Sequence, residues 1–309
     1  MRKKMRLILT TMMTVLIISG CSLPGLSGPS ENTIQIGALG TSESEIMAEM
    51  LSLMIERETD LNTELVTHLG SSIVQHQGMA TDDLDLTSTR YTGTDLAGVL
   101  GLDPVKDPDK AMDIVQTEFD DQFNQTWAQS YGFENSYTLA VTQDFAEAND
   151  LEAISDLEPY ADDLRFGVDN AWINREGDGY NGFIETYYEF GDVFPMNIGL
   201  VYQAAASGHM DAVLAYSSDG RIQEFDLKVL EDDLQFFPPY DTSPVIQNKV
   251  LEEHPEIGSI LDRLSGTIST EKMQELNNKA DARLENPGKI AEEFLEENNY
   301  FETSEGAVE

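Results

Sequence analysis

The run Leu84-Asp85-Leu86-Thr87-Ser88-Thr89 alternates apolar and polar residues and ends in Tyr91-Thr92-Gly93-Thr94. A period of two reads as a strand. Gly93 permits a turn, and helix-like sequence follows from Asp95. An aromatic ring and two hydroxyls therefore fall on a loop at the C-terminal end of a strand, where open α/β sheets bind ligands. A second copy lies further on. Asp211-Ala212-Val213-Leu214-Ala215 reads as a buried strand and ends in Tyr216-Ser217-Ser218-Asp219-Gly220. Two such units suggest two similar lobes facing one ligand. The competing reading makes both tyrosines ordinary strand-end core residues.

The elements around these units follow the same alternation. Thr33–Leu39 reads as a strand, and Ser42 or Ser44 can cap a helix from Glu45 to Glu56, striped by Ile46, Met50, Leu53 and Met54. Leu61–Leu69 reads as a strand, with Leu65 and Val66 inward, and Ser71–Gly78 as a short helix. Strand and helix in turn imply a parallel sheet. Asp107-Pro108-Asp109 opens another helix, and Ser136–Val141 is β-rich, marking a first crossing between domains. Strands are predicted at Leu164–Val168, Asp211–Ala215 and Leu227–Leu230, with a helix at Ile198–Ala206. Phe236-Phe237-Pro238-Pro239-Tyr240 is extended and stiff, as suits a return crossing. From Pro244 to Phe301 the sequence is mostly helical, and these helices are expected to pack on the first domain.

The chain begins with Arg2, Lys3, Lys4 and Arg6, followed by an apolar stretch from Leu7 to Ile18. That stretch is too short for an ordinary span and reads as a targeting segment, residues 1–20. Small residues before Cys21 resemble a bacterial lipobox, in which the cysteine is acylated; the alternative is a secreted protein with an incidental cysteine. Cys21 is the only cysteine of 309 residues, which excludes an internal disulfide or a Cys-based metal site. Residues 22–31 read as a tether.

Charge narrows the partners. The chain has 57 acidic and 18 basic residues, and beyond the first six positions the balance is 14 against 57, a net charge of −43. Such a surface repels nucleic acid and anionic lipid. Two origins fit it: a salty or acidic habitat, or drift on a solvated surface. His68, His76, His209 and His254 lack metal-ligand spacing, and no phosphate-binding loop or nucleophile elbow is present. Nothing supports an enzyme, and no metal or other cofactor is implied.

Tyr91, Tyr137, Tyr216 and Tyr240 all fall at strand ends or crossings. Several ring faces around one point can hold a quaternary ammonium by cation–π attraction, about 0.5–2 kcal/mol per ring. Arg175, beside a glycine-rich turn, can clamp a carboxylate; its plainer role is a salt bridge with Glu176 or Asp178.

Five segments then come in the order seen in one family: Tyr91–Thr94, Gly132–Tyr137, Asn174–Tyr180, Gly199–Ala204 and Ala215–Ile222. From Ile34 to Phe301 the chain resembles the substrate-binding lipoproteins of glycine betaine/carnitine/choline ABC transporters of Gram-positive bacteria. The resemblance implies an α/β, two-lobed fold of the periplasmic-binding-protein type (type II), each lobe a mixed sheet flanked by helices, with the ligand in the cleft between them. It divides the chain into lobe 1 (33–137 and 241–301) and lobe 2 (138–240), after a signal (1–20) and a tether (21–32). It implies a cage of Tyr91, Tyr137, Tyr216 and Tyr240, with Arg175 and Thr94 on the carboxylate. Some choline-preferring relatives carry an acid where Thr94 stands, which argues for a carboxylate-bearing ligand. Relatives often have lysine or glutamine where Leu39 stands, so the resemblance does not carry that polar contact over to this chain. The expected function is a lipid-anchored extracellular receptor that binds a compatible solute, glycine betaine first, and passes it to permease subunits served by a cytoplasmic ATPase. The alternatives are a choline or carnitine receptor, a surface sensor without transport, and a secreted enzyme acting on a quaternary amine.

Overall fold

The computed structural model describes residues 32–170, 172–175 and 179–301. Cys21, the targeting segment, Glu176 and Asp178 lie outside the described residues. Among those described, no helix is long and apolar enough to cross a membrane.

The chain opens with β1 (Thr33–Leu39), β2 (Asn62–Leu69), β3 (Leu86–Tyr91) and β4 (Gln125–Trp127). It then builds β5 (Tyr137–Thr142), β6 (Arg165–Asp169), β7 (Asp192–Met196), β8 (Ala212–Tyr216) and β9 (Leu227–Leu230), and returns as β10 (Thr242–Gln247). These form two five-stranded sheets, ordered β2-β1-β3-β10-β4 and β7-β6-β8-β5-β9. Both are mixed. β1 and β3 are parallel, whereas β10 runs antiparallel to β3 and β4. β6 is parallel to β7 and β8, whereas β5 runs antiparallel to β8 and β9. The parallel sheet expected from strand–helix alternation is thus interrupted in each lobe by one strand that enters from a crossing.

β10 and β7 escape the pattern in the sequence because Pro244 and Pro195 sit inside them, and proline cannot donate to a ladder. β10 nevertheless lies between β3 and β4, with all six residues buried. A shift in register between Ser243 and Val245 accommodates the proline.

The helix Ser42–Glu58 starts earlier than predicted and carries the core of the first lobe. Ile46, Met47, Met50, Leu51, Met54 and Ile55 are fully buried, in pairs four residues apart that form one broad stripe. The helices Pro255–Leu264, Thr270–Asp281 and Pro287–Glu297 pack against it, as expected for the tail. Neither Ser42 nor Ser44 caps it. Thr41 holds the N-cap position without a side-chain bond. Ser44 is buried, accepts from Leu39 N at 2.8 Å and pairs with Thr89 Oγ1 at 2.6 Å, so it ties the first turn to β3. The second lobe is filled by rings. Trp172, Phe183 and Phe190 surround Phe166, with Phe166 and Phe190 stacked at 4.2 Å.

Candidate functional site

Because β10 is antiparallel to β3, its start lies beside the end of β3: Thr242 is paired with Tyr91. By the same geometry the start of β5 lies beside the end of β8, and Tyr137 is paired with Tyr216. The segments entering β5 and β10 also pair with each other, through the Glu134–Asp241 bridge and Asn135 N to Tyr240 O at 3.2 Å. Two strand ends and two crossings therefore meet in one place. The topology alone puts Tyr91, Tyr137, Tyr216 and Tyr240 around it.

They line one cavity of about 900 Å³, together with Thr94 and Arg175. All six predicted site residues are thus gathered in its wall. Tyr137 and Tyr216 lie 5.0 Å apart, tilted by 30°, with their hydroxyls 3.4 Å apart. Burial pushes the Tyr216 phenol well up, and the bond to Tyr137 adds to it. The guanidinium of Arg175 lies 5.5 Å from the centre of the Tyr137 ring, and its Nη2 donates to the Tyr240 hydroxyl at 3.3 Å. One cationic fork therefore touches two of the four tyrosines. Leu39 also lines the cavity, as an apolar patch.

Gly93 has a different task from the one its sequence context suggests. It lies within the short helix Thr92–Gly98, and its N–H donates to Pro239 O at 3.1 Å. A Cβ there would lie 2.7 Å from that carbonyl and 3.1 Å from the Tyr240 ring. Glycine is required because the return crossing passes so close. Behind the turn, Arg90 and Asp95 form a fully buried pair, Nε to Oδ2 at 2.9 Å and Nη2 to Oδ1 at 2.5 Å. The pair joins the residue before Tyr91 to the residue after Thr94. Its guanidinium faces Phe119 and Trp127, at 5.3 and 5.9 Å.

Several residues of the cavity wall escaped the sequence reading. Glu43 is buried in the first turn of its helix and accepts from Tyr91 OH at 2.5 Å, Asn135 Nδ2 at 2.8 Å and Ser218 Oγ at 2.6 Å. Burial, and then this carboxylate, hold the Tyr91 phenol well above its ordinary range. Asp219 and Arg221 form a bidentate pair on the second lobe, the guanidinium 4.4 Å over the Tyr202 ring. Among 57 acidic residues no local pattern marks Glu43; only the fold brings its partners to it.

The two lobes meet on one side of the cavity through amides. From the helix Thr270–Asp281, Gln274 Nε2 donates to Ser217 O at 2.6 Å, Asn277 Nδ2 to Ser218 O at 2.8 Å and Asn278 Nδ2 to Gly220 O at 3.1 Å. Among the described residues no cluster of three or more His, Cys, Asp or Glu is placed to hold a metal. His68 is exposed beside Glu45, and His76 packs its ring on Phe123 at 4.5 Å.

Two mixed sheets joined by paired crossings, with a walled cavity at the join, define a two-lobed solute-binding protein of type II. Residues 32–297 match the family described as the substrate binding domain of ABC-type glycine betaine transport systems, and the chain belongs to that family. Its members are binding proteins of transporters, not enzymes. The chain is 50% identical over 288 residues to a carnitine transport binding protein of Listeria monocytogenes, covering 93% of this chain and 94% of the relative. It is 28% identical to a glycine-betaine-binding protein of Pseudomonas aeruginosa, over 87% of this chain and 89% of that one. A crystal structure of a glycine betaine/carnitine/choline ABC transporter protein superposes with a TM-score of 0.85 at 48% identity, covering 87% of this chain and all of that one.

Proposed function

We propose that the cavity binds a zwitterionic trimethylammonium solute, its ammonium among Tyr91, Tyr137, Tyr216 and Tyr240 and its carboxylate on Arg175 and Thr94. The observation that carries this reading is the convergence of four tyrosines and one arginine on the same cavity. A quaternary ammonium cannot donate hydrogen bonds, so ring faces suit it. A guanidinium offers paired donors to a carboxylate. Glycine betaine and carnitine both carry the two groups. The family description favours the first and the 50% identical relative the second, so carnitine stands level with glycine betaine. The chain would act as an extracellular receptor held by a lipid on Cys21, delivering its solute to permease subunits driven by a cytoplasmic ATPase.

Calorimetry with glycine betaine, carnitine, proline betaine, choline and ectoine tests this. The zwitterionic quaternary solutes should bind most tightly. Arg175→Ala should weaken them by about 1.5–3 kcal/mol, the value of a hydrogen bond to a charged group, and weaken choline far less. Failure to bind any quaternary ammonium compound would overturn the assignment, and equal losses for choline and glycine betaine would make Arg175 structural.

A further inference from the structure

Glu43 is 3% exposed, lines the same cavity as the four tyrosines, and has no lysine, arginine or histidine partner among the described residues. Its neighbours are neutral donors: the Tyr91 hydroxyl and Asn135 amide on Oε1, and the Ser218 hydroxyl on Oε2. The Asn135 amide can only donate and both hydroxyls are able to, so all three neighbours can serve an ionised carboxylate. Burying an anion without a cation is costly, and natural structures rarely leave one so. The other acidic groups of the wall are differently placed. Asp219 is matched by Arg221, and Asp281 accepts from Ser42 at an exposed edge.

We propose that Glu43 supplies the formal negative charge that selects a cationic head group in this cavity, with the bound ammonium as its missing partner. This rests on the trimethylammonium reading above. The rings attract a cation through partial charge on their faces and carry no formal charge of their own. A carboxylate hydrogen-bonded to the Tyr91 hydroxyl adds a full charge in a site shielded from water, where Coulomb attraction is several times stronger than in solvent. It also enriches the ring it touches. Because Asn135 belongs to a crossing and Ser218 to the second lobe, the same carboxylate holds the cage walls together when the lobes approach.

The test separates charge from architecture. Glu43→Gln keeps the shape: Oε1 still accepts from Tyr91 and Asn135, and the Ser218 hydroxyl can rotate to accept from the new amide. The probes are glycine betaine and its neutral-headed carbon isostere, 3,3-dimethylbutanoate. Glu43→Gln should weaken glycine betaine about tenfold or more and tighten the isostere, whose own carboxylate no longer meets an anion. Glu43→Asp, which keeps the charge, should retain the preference for glycine betaine over the isostere even though its shorter reach costs hydrogen bonds. The inference is overturned if Glu43→Gln holds the isostere no better than wild type, if it leaves glycine betaine unaffected, or if Glu43→Asp loses the preference. Wild-type protein that binds glycine betaine while the variants behave so would sink only the role of Glu43. Wild-type protein that binds no quaternary ammonium would sink the functional reading as well.

Discussion

Replacing Asp95 by alanine leaves the Arg90 guanidinium fully buried with its two anionic contacts gone. Both side chains are 0% exposed, and the bonds of 2.5 and 2.9 Å form a bidentate fork. Water cannot reach the site to compensate, and Phe119 and Trp127 offer only ring faces. Removing one partner of a buried pair costs about 3–5 kcal/mol, chiefly through the stranded charge. Against a typical stability of about 5–15 kcal/mol this is a large share. Urea unfolding followed by tryptophan fluorescence should report it directly, since Trp127 lies against the pair. The double variant Arg90→Met with Asp95→Leu removes both charges and fills their space, so it should recover most of the loss. Ligand affinity should follow the same order, because the pair fixes the turn bearing Tyr91 and Thr94. A cost below about 1 kcal/mol for Asp95→Ala, or a double variant as damaged as the single one, would refute the account.

Asp241, in the return crossing, is pushed up to about 6 by burial first and then by Glu134 and Asp109. A raised carboxyl favours the folded state below its ordinary value near 3.8 and loses that contribution as pH rises towards 6; with solvent screening this is about 1–2 kcal/mol. Asp241→Asn should therefore raise stability at pH 7 and flatten the slope of stability between pH 4 and 6, and an unchanged slope counts against it. Gly220→Ala places a Cβ 2.7 Å from Asn278 Cα, which backbone cannot yield, so it should cost about 1–3 kcal/mol and weaken ligand binding; unaltered melting and affinity would contradict this. Cys21→Ala should abolish membrane retention and normal processing, since no other thiol exists, and retention of a normally processed variant would remove the lipid anchor.

Tyr91 and Tyr216 were legible because strand ends announce themselves: an alternating or apolar run stops, and small polar residues follow; Tyr137 and Tyr240 were legible as members of the two crossings. Arg175 was legible through scarcity, as one of 14 basic residues beyond the first six positions. Glu43 was not, because a carboxylate in the first turn of a helix is commonplace and its partners come from positions 91, 135 and 218. The mixed character of the sheets could not be read from alternation, since β10 reaches β3 only after the second lobe is complete. In each case the missing information was a contact between distant segments, while local periodicity carried the rest.

The join between the lobes uses the carbonyls of Ser217, Ser218 and Gly220, whereas the Ser218 and Asp219 residues also form part of the cavity wall. Gripping and recognising are thus assigned to different atoms of one short turn. A substitution at 219 alters the cavity wall and leaves the carbonyls of the turn available to Gln274, Asn277 and Asn278, whereas one at 218 also removes the hydroxyl bond to Glu43. Descendants of such a chain can vary the wall at 219 and keep the same join.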